Sequence, residues 1–156
     1  MKKTLAIAVA MLAVMGTMAS CGNNANSNEA YKDGSYRVEA KDFDDHGWKE
    51  YINVTVKDGK IAEVEFDALS QEDGHKKTED QEYKDAYIGA GFETYPADYT
   101  EKLEKGLVEK QDASKVDTVA GATHSSDFFK QMMKELDKNM KKGDTNTVIV
   151  AAASEE

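Results

Sequence analysis

Asp117 to Ser126 read DTVAGATHSS, the densest run of groups able to do chemistry in this chain. Gly121 and Ala122 are small, so a bulky ligand can approach the backbone closely there. Thr123 follows with a hydroxyl. Ser125, Ser126 and Asp127 then stand where a helix is expected to start, and such residues cap helix N-termini. A helix N-terminus presents unpaired N–H groups and a partial positive charge, which favour a phosphate. The segment thus offers a phosphate site with an ester-forming oxygen, Thr123 Oγ, beside it. The same residues also read as an ordinary turn and cap, and the pattern alone leaves both open.

The elements around this segment must position it. Downstream, Asp127 to Lys141 carries Phe128, Phe129, Met132, Met133, Leu136 and Met140 at helical spacing. Gly143 supplies a C-terminal stop. Upstream, Pro96 suits a first helical turn, and Tyr99, Leu103 and Leu107 recur along one face. Gly106 weakens that helix locally. Thr78 to Ala90 predicts a further helix, with Tyr83, Ala86 and Tyr87 at helical spacing. Ser70 to Lys77 is polar and reads as a loop.

The start of the folded region is β. Ser35 to Ala40 alternates apolar and polar residues, and Ile52, Val54 and Val56 share a face. Asp58-Gly59 is hairpin-turn chemistry, because both positions take positive φ. The return strand, Ile61 to Phe66, is expected to bury Ala62, Val64 and Phe66. The fold class is therefore α+β: a small antiparallel sheet with a hairpin, covered by about three helices. Thr147 to Ala153 fits either an added edge strand or a tail.

The N-terminus reads as an export signal. Lys2 and Lys3 precede an apolar run, Leu5 to Val14, too short for a comfortable membrane span. Met18-Ala19-Ser20-Cys21 resembles a bacterial lipobox, which implies cleavage before Cys21 and lipidation of its thiol. As the single cysteine, Cys21 has no intrachain disulfide partner. Acyl chains of this kind suffice for stable anchoring. The expected order is a signal over 1–20, a flexible polar linker over 21–30, a domain over 31–143, and a tail or edge strand over 144–156. Removing residues 1–20 takes away two lysines, so the net charge moves from −10 to −12. That charge argues against a nucleic-acid partner and against electrostatic attachment to an anionic membrane. The lipid then acts as a tether on the extracytoplasmic side of a bacterial membrane.

Several other residues carry two readings each. Trp48, the single tryptophan, can line an aromatic ligand or anchor the core. His124 can pair with a phosphate or lie exposed. His75, within EDGHKK, reads as a solvated loop residue. The three histidines are scattered, which gives no metal-ligand pattern. No nucleophile-elbow motif surrounds Ser125 or Ser126. The methionines of the 127–141 helix read as core, and the acidic runs at 42–45 and 79–82 as solvated faces.

Asp117 to Thr123 resembles the flavinylation motif D-x-x-[S/T]-G-A-[T/S] of the FMN-binding domain family. That family includes the flavin-carrying subunits of sodium-pumping NADH:quinone reductase and of Rnf complexes, and small bacterial lipoproteins. Asp117 matches the leading Asp, Gly121 and Ala122 the small pair, and Thr123 the acceptor. Ala120 departs from the pattern by lacking a hydroxyl. The stretch Gln111 to Ser126, the run Tyr31 to Tyr36 and Asp45 to Trp48 extend the likeness to about residues 31–141. The resemblance implies an electron carrier rather than an enzyme with its own substrate, with FMN esterified to Thr123 by a flavin transferase. It implies membrane or surface redox proteins as further partners, and Asp117, Gly121, Ala122, His124, Ser125, Ser126 and Trp48 around the cofactor. Two alternatives stay open: non-covalent binding of FMN or another phosphate ligand, which the Ala120 departure favours, and a lipoprotein in which the same fold holds no flavin.

Overall fold

The computed structural model describes residues 30–151. The expected signal segment, Cys21 and all of the linker except Ala30 lie outside the described residues.

Three strands form an antiparallel meander: β1 (Gly34–Ala40), β2 (Trp48–Lys57) and β3 (Lys60–Ser70). The hairpin turns at Asp58 and Gly59 with φ of 53° and 73°, both positive as its chemistry requires. A short strand, β4 (Val148–Val150), joins the far edge parallel to β1, with Val38 facing Val148. The order is therefore β3-β2-β1-β4 and the sheet is mixed. Within the C-terminal apolar run, Val148–Val150 is thus an edge strand.

The expected phase of β3 holds at Phe66 and fails near the turn. Thr55 pairs with Glu63 but Val56 pairs with Ile61, so Ala62 is the extra residue of a bulge. Ile61, not Ala62, consequently enters the core.

Three helices follow: α1 (Gln81–Gly89), α2 (Pro96–Lys110) and α3 (Thr123–Lys142). The segment expected as one helix from Thr78 divides into a 3-10 turn, Lys77–Glu79, and α1. Asp80 separates them because its carboxylate accepts the Tyr83 amide at 2.8 Å and caps α1. Helices α2 and α3 cover one face of the sheet. Val38, Ile52, Val54 and Phe66 meet Leu103, Leu107, Phe129, Met132, Leu136 and Met140 there, all buried. The methionines are core, as their spacing indicates. The other sheet face stays polar: Glu65 accepts from Tyr51, Asn53 and Lys76, and Glu39 from Arg37 and Lys49.

Helix α2 ends at Gln111, in the left-handed region at φ 57°. The Gln111 side chain bonds both the N–H and the C=O of Ile61, at 2.8 Å each. It thereby ties the end of α2 to the start of β3. Helix α3 ends on Gly143 at φ 77°, the expected stop.

Candidate functional site

The 117–126 segment is the connection from α2 to α3, and buried residues fix it. Gly106 of α2 leaves room for Val116: a Cβ there would stand 3.1 Å from Val116 Cγ1. The helix-weakening glycine thus allows the loop to pack against α2. Val116 is buried, and the chain emerges at Asp117.

Asp117 is exposed and pairs with Lys110 at 2.6 Å. Lys110, and at longer range Lys130, hold its carboxyl below the usual carboxylate range. Lys130 Nζ also donates to Thr118 Oγ1 at 2.9 Å. The next residues turn tightly. The Ala122 amide donates to Val119 O at 3.0 Å. Gly121 has φ +80°, and a Cβ on it would come within 3.2 Å of Thr94 Cγ2. Thr94, buried just ahead of α2, is held by its own bond to Asp98 at 2.6 Å.

Helix α3 begins at Thr123, not at Asp127. The expected cap of Ser125, Ser126 and Asp127 is therefore incorrect, because these residues already lie in the first turns. Ser126 is buried, and its hydroxyl accepts from Val119 N at 3.0 Å and donates to Ala122 O at 2.7 Å. It clamps the turn instead of capping the helix. The N-cap position belongs to Ala122, which has no side-chain oxygen to offer. Among the described residues, Ser126 is the first of α3 whose amide meets a backbone acceptor, Ala122 O at 2.9 Å. The helix start is open, with Thr123 and His124 exposed and Ser125 half-buried. Ala120 is exposed on the turn beside it.

A wall of aromatic side chains runs away from this helix start. Tyr99 of α2 neighbours Ser125. Its ring centre lies 6.4 Å from Tyr87, which lies 5.4 Å from Tyr83, which in turn lies 5.4 Å from Trp48. Phe92, exposed, extends the wall 5.2 Å beyond Tyr87. Burial pushes the Tyr83, Tyr87 and Tyr99 phenols up, so they are neutral donors at physiological pH. A narrow cleft at the foot of the wall is lined by Ser125, Tyr99, Pro96, Glu50 and Lys77.

The sequence reading placed Trp48 as either ligand wall or anchor. The structure buries it to 5 % exposure, edge-on to His75 and Tyr83, so it anchors the wall. His75 is not a free loop residue. Its ring bridges Asp73 and Asp80 and packs on Trp48. Tyr83, Tyr87 and Tyr99 read from sequence only as helix-face positions, and Phe92, Thr94, Glu50 and Lys77 carry no sequence signal of a site. The signal for the wall was the run of aromatics from Tyr83 to Tyr99 across one weak helix and the start of the next.

The profile of the FMN-binding domain family matches residues 47–136, from the turn before Trp48 to Leu136 in α3. The chain belongs to the FMN-binding domain family. Its cofactor is FMN. A 15 kDa lipoprotein of Treponema pallidum (strain Nichols) is 32 % identical over 126 residues, covering 80 % of this chain and 87 % of that protein. The crystal structure of the CPE2226 protein from Clostridium perfringens superposes with a TM-score of 0.73 at 38 % identity, covering 78 % of this chain and 98 % of the other.

The residues present fit FMN on geometric grounds. An uncapped helix start supplies N–H donors for a phosphate. The Gly121 turn leaves the approach free of a Cβ, and the aromatic wall offers ring faces and edges to an isoalloxazine.

Proposed function

We propose that this chain is an exported, lipid-anchored electron carrier whose FMN is a phosphoester on Thr123. The observation that carries the reading is the exposed Thr123 side chain at the first position of a helix whose N-cap is alanine. A capping oxygen would compete for the N–H groups that a phosphate needs. Here none is supplied by Ala122. Exposure leaves the hydroxyl open to a flavin transferase. Esterification exchanges the Thr123 oxygen for the AMP of FAD on the FMN phosphate; AMP and the hydroxyl proton leave. Asp117 and Lys110 mark the exposed flank of the loop. The turn clamped by Ser126 holds Thr123 in place, while Gly121 and Ala122 keep the approach clear.

Bound FMN supplies the redox chemistry, and the protein supplies position and electrostatics. A covalent bond suits an exported protein, because FMN that dissociated outside the cell would be lost. The likeness to the Treponema pallidum lipoprotein supports lipidation at Cys21. Membrane or surface redox proteins are the proposed electron partners.

The test is to produce the chain with a flavin transferase, denature it, and view the gel under ultraviolet light. A fluorescent band that disappears in Thr123→Val supports the ester. Flavin retained natively but released by denaturation supports non-covalent binding, the outcome that Ala120 favours. Absence of flavin in both states removes the reading. Lipidation has its own test: Cys21→Ala is expected to leave the membrane fraction, and its retention there contradicts the anchor.

A further inference from the structure

A groove of about 830 Å³ runs between the middle of α3, the end of α2 and the β2–β3 turn. It shares no lining residue with the cleft at the foot of the aromatic wall. Its size is that of a small-molecule site. Ile61, Leu107, Met133 and Met140 close its floor, all buried in the core, so the concavity is built into the fold. Six lysines stand around it: Lys60, Lys110, Lys115, Lys130, Lys134 and Lys141. Two acidic residues line it with them, Asp112 and Asp137. That balance runs against the chain as a whole, which carries 30 acidic residues and 20 lysines and arginines.

Ion pairs account for three of the six lysines. Lys110 pairs with Asp117 at 2.6 Å, Lys115 with Asp112 at 3.0 Å and Lys141 with Asp137 at 2.7 Å. Among the described residues, no ion pair takes up Lys60, Lys130 or Lys134. Lys130 donates to the neutral Thr118 hydroxyl, and Asp117 acts on it at longer range. Lys130 and Lys134 stand one turn apart on α3, where like charges repel. An anion in the groove relieves that repulsion.

We propose that this groove binds a small organic phosphate with two or more negative charges. Lys60, Lys130 and Lys134 supply the opposite charge, as compact ammonium donors to phosphate oxygens. The concave shape concentrates their field. Tyr31 and Ala113, both partly buried on the same lining, offer apolar contact to the organic part. The Tyr31 side chain is fixed by its hydroxyl, which donates to Asp137 at 2.9 Å. The site is separate from the flavin reading, since neither Thr123 nor the aromatic wall lines the groove.

The experiment is isothermal titration calorimetry of the chain with ADP as the probe, at low ionic strength to limit screening. Saturable binding at one site is expected. Adenosine, which lacks the phosphates, is expected to give none. Lys130→Gln/Lys134→Gln is expected to weaken ADP binding about tenfold or more, through the loss of at least one charge-assisted hydrogen bond. Lys138→Gln/Lys142→Gln removes the same charge from α3 outside the groove, and is expected to bind ADP as the wild type does. Equal weakening in the two variants means a diffuse field and overturns the proposal. Equal binding of adenosine, or no saturable binding of ADP, overturns it as well. Flavin loaded onto Thr123 is expected to leave ADP binding unchanged. Competition between the two would assign the anion to the start of α3 and overturn the groove as its site.

Discussion

Val119 gives its amide hydrogen to the Ser126 hydroxyl at 3.0 Å, across the turn that leads into Thr123. The same hydroxyl donates to Ala122 O, so one buried side chain closes both sides of the turn. Ser126→Ala leaves the part-buried Val119 N–H without its partner and removes one of the two bonds that Ala122 O accepts. A loss of about 1–3 kcal/mol in unfolding free energy is expected, measured by urea denaturation. On the proposed ester at Thr123, flavin loading should slow in parallel. A variant as stable as the wild type would show that the clamp is redundant.

Gly121→Ala meets two obstacles. At φ +80° a side chain costs roughly 1–2 kcal/mol. Its Cβ also presses on Thr94 Cγ2 at 3.2 Å. The expected outcome is destabilisation of at least that size, relieved in part by adding Thr94→Ser, which deletes the opposing methyl. A double-mutant cycle in thermal melts tests this, because two residues in contact do not add. Strict additivity would mean that the turn relaxes away from Thr94.

These positions show what a sequence can reveal about such a site. The Gly-Ala-Thr pattern located the turn, and the apolar stripe of α3 located the helix behind it. The start of that helix was misplaced. Ser125, Ser126 and Asp127 are good caps in isolation, yet the buried Ser126 finds better partners in Val119 and Ala122. The hairpin was legible because Asp58 and Gly59 act locally. The bulge at Ala62 was not, since it depends on pairing with β2. The run His75-Lys76-Lys77 is as polar as any loop in the chain. Only the tertiary fold turns Lys77 under Trp48 and Tyr83, and no periodicity records that. The aromatic wall is likewise assembled from β2, α1 and α2.

Gln111 makes the α2–β3 join testable. Its side-chain oxygen accepts from Ile61 N, and its nitrogen donates to the carbonyls of Ile61 and Val108. Gln111→Ala should cost about 1–3 kcal/mol through the orphaned Ile61 groups. Gln111→Gly removes the same bonds but eases the backbone at φ 57°. It is therefore expected to be the less damaged of the two. Equilibrium denaturation decides the order, and Gly being the worse would point to backbone entropy as the larger effect.

His75 gives the domain a signed pH dependence. Asp73 first, and Asp80 next, raise the imidazole above its ordinary value of 6.5. A raised folded value means that the charged form favours the native state. Its contribution is complete below pH 6.5 and is lost as the pH climbs through the higher folded value. The two carboxyls are shifted the other way, below their ordinary 3.8, so their share fails only in stronger acid. The contact is strongest between those limits. Thermal melts of wild type and His75→Gln from about pH 5 to about pH 8 should therefore converge at the alkaline end. Near pH 5 the wild type melts higher, because the protonated ring holds both Asp73 and the α1 cap Asp80. A gap between the two proteins that stays constant across this range would show that the His75 charge does not stabilise the fold.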